Sequence, residues 1–63
     1  MNTNHLRISA RIDALERRRD AAGRRAAAAG MRSPPRWSSY HYWTAVEDRA
    51  SREIGRLYSL LYR

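Results

Sequence analysis

The sequence predicts an all-α chain, an antiparallel two-helix hairpin that dimerises into a four-helix bundle. Three observations carry this. Ala and Arg make up 23 of the 63 residues, β-branched residues are few and Phe is absent, a balance that favours helix over sheet. Two long stretches free of proline flank a single Pro34-Pro35 pair. Within each stretch, apolar residues recur at helical spacing.

The first helix is expected over about residues 4–29. Thr3 or Asn4 caps its start and Gly30 stops it. Residues 30–37 form the connection, since two consecutive prolines hold the chain extended and cannot continue a helix. A second helix follows over about 38–62, capped by Ser38 or Ser39. Thr44-Ala45-Val46-Glu47 is a capping-box pattern that would start it later. The earlier start is preferred, because it places Tyr40 and Trp43 on the apolar face.

At 100° per residue, Ile8, Ile12, Leu15, Arg19, Ala22, Ala26 and Ala29 fall on one stripe of the first helix. Tyr40, Trp43, Val46, Glu47, Ala50, Ile54, Leu57, Tyr58 and Leu61 form the stripe of the second. A short connection makes the two antiparallel neighbours, so facing residues have numbers adding to about 66. That register sets Ile12 against Ile54, Ile8 against Tyr58, Ala26 against Tyr40 and Ala29 against Trp37. Large residues meet small ones near the loop, as close packing requires. It also sets the two charged intruders, Arg19 and Glu47, opposite each other as an inter-helix ion pair that fixes register.

One seam leaves apolar area uncovered. Ala10, Ala14, Ala21 and Ala28 make a second stripe of small residues, and Leu57, Tyr58, Leu60, Leu61 and Tyr62 spread over an arc wider than one core-facing stripe needs. A second copy covering both gives a two-fold homodimer. The five C-terminal residues are accordingly the expected partner or dimer surface. Support of this kind is needed in so short a chain without cysteine, because a lone core below roughly 70–80 residues supplies only about 3–5 kcal/mol.

Catalysis finds little footing. His5 and His41 lie near opposite ends of the hairpin, no metal-ligand spacing occurs, and Gly23, Gly30 and Gly55 are isolated, with no phosphate loop. No enzyme activity, cofactor or metal is expected. No apolar run approaches the ~20 residues of a membrane span, and no signal sequence precedes the first helix, so a cytoplasmic location is expected.

The 13 arginines, with no lysine, give a formal charge of +7. GC-rich codon usage would produce this balance, and so would selection for the planar guanidinium fork that grips phosphate and carboxylate. Arg7, Arg11, Arg18 and Arg25 recur on one flank of the first helix, while Asp13, Glu16 and Asp20 gather on the other. Arg49, Arg52, Arg56 and Arg63 add charge to the outer face of the second. Tyr40 and Trp43 are assigned to the core, leaving Trp37 and Tyr42 as the freer rings.

These features predict a small non-enzymatic protein-binding module. It would occupy an acidic or apolar surface of a larger bacterial regulatory protein and inhibit or modulate it. In size, two-helix form and GC-rich composition the chain resembles small phage-encoded anti-activator and host-takeover proteins, some of them dimeric helical hairpins that bind bacterial transcription regulators. The resemblance implies a protein inhibitor acting in the bacterial host cell, and assigns no binding residues. The outline is also similar to small plasmid-regulatory hairpins that dimerise and grip paired RNA loops. That resemblance implies the alternative, an RNA- or DNA-binding regulator acting through its arginine flank, against which the six acidic residues count.

Overall fold

A computed structural model describes residues 3–62 as two α-helices, α1 (Thr3–Gly30) and α2 (Trp37–Leu61), folded back on each other. The molecule is a narrow rod with Cα extents of 51 × 14 × 11 Å. Both helices form close to their expected limits. Asn4 already lies inside α1, so any cap preceding Thr3 falls outside the described residues.

The connection is closed by backbone. The Ala29 carbonyl accepts from the Arg32 N–H at 3.4 Å and the Arg36 N–H at 3.0 Å, while the Met31 N–H reaches the Ala27 carbonyl at 3.0 Å. Pro34 and Pro35 have no N–H to satisfy. With Arg36 pinned to Ala29, α2 begins at once, and the Tyr40 N–H donates to the Arg36 carbonyl at 2.9 Å. The expected serine cap is thereby displaced. Ser38 and Ser39 fall within the first turn, Arg36 occupies the cap position, and no side chain caps the helix. Thr44 is no cap either: its hydroxyl donates to the Tyr40 carbonyl one turn back, at 2.7 Å.

Gly30 ends α1 without entering the left-handed region. Its small size has another use. A Cβ there would stand 3.4 Å from Cδ2 of Tyr40, so the ring packs where a side chain would otherwise project.

The core follows the two stripes. Ile12 and Leu15 cluster with Ala50, Ile54 and Leu57, and the half-buried Ile8 and Leu61 pack against them. Toward the loop α1 offers the buried Ala22, Ala26 and Ala29, and α2 offers the half-buried rings of Tyr40 and Trp43. Trp37, expected over Ala29, is 56% exposed and sets its ring edge-on to Tyr40 at 5.6 Å between centroids. No polar or charged residue is buried among the described residues.

The register holds near 66 on one flank and departs from it on the other. Numbers add to 64 for Arg11 and Glu53 and 68 for Arg25 and Trp43 on one flank. They add to 70 for Gly23 and Glu47 and 74 for Glu16 and Tyr58 on the other. The first flank thus brackets 66, while on the second the partners are offset by four to eight residue numbers.

Candidate anion-binding face

Two shallow grooves run along one side of the hairpin. One is lined by Arg11, Arg18, Arg49 and Glu53 around Leu15, Val46 and Ala50. The other, nearer the loop, is lined by Arg25, Arg32 and Arg36 with Ala28, Ala29, Ser39 and Trp43. Arg11, Arg18 and Arg25 recur every seven residues of α1, two helical turns or about 10.5 Å along the axis; the first two line one groove and the third the other, so both grooves share one face, and Arg32 joins the second from the connection. Arg7 joins it by phase. Six arginines thus line these grooves beside a single carboxylate, Glu53, whose Oε1 lies 3.6 Å from Nη2 of Arg11. The guanidinium carbon of Arg25 sits 4.5 Å from the ring centroid of Trp43.

Acids occupy the opposite side. Asp13 and Glu16 line one groove there, and Glu47 and Asp48 line another with Arg19 and His41. Asp20 falls on the same flank by phase. Much of this charge is locally matched: Arg17 pairs with Asp13 at 2.8 Å and Arg52 with Asp48 at 2.7 Å, both one turn apart on exposed helix. The three expected acids of α1 and the arginines Arg7, Arg11, Arg18 and Arg25 therefore stand on separate faces, as their spacing implied.

The expected Arg19–Glu47 ion pair does not form. Both residues line the same groove, but Nε of Arg19 lies 3.7 Å from Oδ1 of its neighbour Asp20. The Glu47 carboxylate instead occupies the space left by the missing side chain of Gly23, where a Cβ would come within 2.5 Å of its Oε2. The cross-helix ion pair in the structure joins Arg11 and Glu53 on the other face.

At the open end the five predicted surface residues separate. Leu57 is buried and Leu61 half-buried, so both belong to the core. Tyr58, Leu60 and Tyr62 are exposed, Tyr62 by 79%. Leu6 is exposed as well, a residue the stripe analysis passed over because it lies off the seam. The Tyr58 hydroxyl donates to Oε1 of Glu16 at 3.2 Å, and its ring stacks on Tyr62 with centroids 6.0 Å apart. The negative charge and hydrogen bond of Glu16 raise the Tyr58 phenol above its ordinary value.

Sequence spacing missed the loop-side groove. It brings Arg32 and Arg36, read as connection residues, beside Arg25 and the indole of Trp43. Helical spacing held no signal for it, because Arg32 lies past Gly30 in the connection, where the helical period no longer applies. No helix among the described residues is long and apolar enough to cross a membrane. No group of three or more His, Asp or Glu among them is placed to hold a metal ion. Compared with protein-family models, curated proteins and solved structures, the chain has no significant match.

Proposed function

We propose that this chain is a non-enzymatic binding module whose arginine face docks on the phosphate backbone of a nucleic acid. The observation that supports it is the separation of charge. Acidic residues weigh against a polyanion surface only when they interrupt it, and here all but Glu53 lie off the two arginine-lined grooves. Guanidinium forks at 10.5 Å steps on a straight helix suit phosphates, which they bind bidentately. The net charge of +7 raises the association rate with any polyanion.

Filter retention of labelled RNA and DNA at 50 mM salt, followed by a salt titration, tests this. Retention should weaken steeply as salt rises. Arg18→Glu with Arg25→Glu should abolish it. Arg17→Glu with Arg52→Glu makes the same change in net charge on the far side and should cost far less. Absence of retention at micromolar protein, or equal loss in both double variants, overturns the reading.

The open end supports a second reading, a protein-binding module that modulates a larger regulatory protein. Leu6, Leu60 and Tyr62 are exposed there, and single apolar residues clustered at one end of a small rod suit an interface. A homodimer through this end and the exposed Ala10, Ala14 and Ala28 belongs to the same reading. Light scattering at micromolar concentration decides the dimer, and stoichiometric capture of one protein from nuclease-treated lysate, lost in Tyr62→Ala, decides the partner.

A further inference from the structure

We propose that the loop-side groove is a nucleotide subsite, in which Trp43 stacks one base of a single-stranded nucleic acid while Arg32 and Arg36 hold the adjoining phosphate. This rests on the nucleic-acid reading and adds to it the form of nucleic acid that fits.

The groove is an open depression of about 280 Å³, and no carboxylate lines it. Ala28 and Ala29 leave room beside the half-buried indole. That indole face already accepts a planar π-cation, since Arg25 lies over it at 4.5 Å. A base is likewise planar, though neutral, and by displacing the Arg25 guanidinium from the ring it frees that cation for phosphate. Tyr42 packs against Trp43 in a T-shaped contact, with centroids 4.9 Å apart and planes at 83°, which braces the indole.

The anion end, unlike the indole face that Arg25 covers, has no intramolecular counter-ion among the described residues. Among the described residues Arg32 and Arg36 make no ion pair, and both are exposed. They flank the start of α2, whose first N–H groups receive no side-chain cap. A duplex keeps the faces of its bases stacked inside, so it can engage the arginines but offers no base to stack on the indole. Single strands engage both, and because every base has a π-face the preference is tolerant of sequence.

The test uses the full chain carrying Trp37→Phe, which leaves Trp43 as the sole indole. Its emission is followed while a single-stranded oligonucleotide, a duplex of equal length, AMP or poly-glutamate is added. The single strand should quench Trp43 and bind about tenfold more tightly than to Trp43→Leu, the size expected for one stacked base. The duplex should bind without quenching. Arg32→Gln with Arg36→Gln lies outside the core, and should lower single-strand affinity several-fold more than duplex affinity. Quenching by AMP alone supports the same base-and-phosphate chemistry with a free nucleotide as its source. Equal affinity for single strand and duplex with unchanged emission overturns the subsite yet leaves backbone binding standing. Quenching by poly-glutamate but not by the oligonucleotide overturns both.

Discussion

At the scale of single residues, the three glycines have three different surroundings. Gly55 lies inside α2 with open space where a Cβ would project. Gly55→Ala should stabilise the hairpin by roughly 0.5–1 kcal/mol, because it removes backbone entropy from the unfolded chain and meets no obstacle. A thermal melt followed by circular dichroism should show a rise of several degrees. Gly23→Ala gains the same propensity but must push aside the Glu47 carboxylate, so its midpoint should rise less than that of Gly55→Ala. A larger rise at Gly23 would mean that Glu47 does not rest there. Tyr58 makes a pH-dependent contribution. Its phenol is raised above 10.0 in the fold by Glu16, so the fold favours the protonated form. The contribution is fully present below the ordinary value and is lost as pH rises through the folded one. Ultraviolet titration should show a tyrosine component raised above 10.0 that disappears in Tyr58→Phe. If the variant and parent titrate alike, the Glu16 contact is not maintained in solution.

At the scale of the helices, the sequence shows clearly what depends on period and poorly what depends on the reach of one side chain. The two stripes, the proline-bearing connection and the Ile12–Ile54 cluster follow from a 3.6-residue repeat and antiparallel pairing, and the structure bears them out except at Tyr58, which is exposed and bonds to Glu16 where it was expected to pack on Ile8. The Arg19–Glu47 pair did not follow, because a constant sum treats each helix as a line. Glu47 has several rotatable bonds, and Gly23 offers it a vacant place one turn away from Arg19. The serine caps failed for a related reason, since the hydrogen bond from Arg36 to Ala29 starts α2 before either serine is reached. Trp43 was read as core filling, and helical phase alone could not show that its ring also borders a groove of arginines. The buried set is thin: of its eight residues, Ala22, Ala26, Ala29 and Ala50 bring only a methyl group each, leaving Ile12, Leu15, Ile54 and Leu57 as the large ones. Leu15→Ala should therefore cost about 2–5 kcal/mol, comparable to the whole stability expected of a core this small. Circular dichroism at 25 °C should show most of the helix lost. Retention of full helicity would mean that another source, such as a second copy, supplies the stability.

At the scale of the whole molecule, the hairpin is a thin layer with its charge sorted between two sides. That sorting constrains how copies can meet. A two-fold pairing through the arginine face would oppose six guanidinium groups to the same six, a repulsion that only an intervening anion relieves. The arginine side is thus better matched to an anionic partner than to itself, whatever happens at the open end. Glu53 provides a sharp test, being the single carboxylate in those grooves. Its pair with Arg11 is largely solvated, with side-chain exposures of 56% for Arg11 and 34% for Glu53, so Glu53→Gln should change stability by no more than about 1 kcal/mol. Binding should respond more. The substitution frees Arg11 for a phosphate, and each added contact steepens the dependence of log affinity on log salt by about 0.7 for a single strand or 0.9 for a duplex. Asp48→Asn removes the same unit of charge from the far side and likewise frees an arginine, Arg52, but one that points away from the grooves. It should leave that slope unchanged. Equal slopes for the two variants would show that the molecule responds to its total charge alone and that the arginine face has no special part in binding.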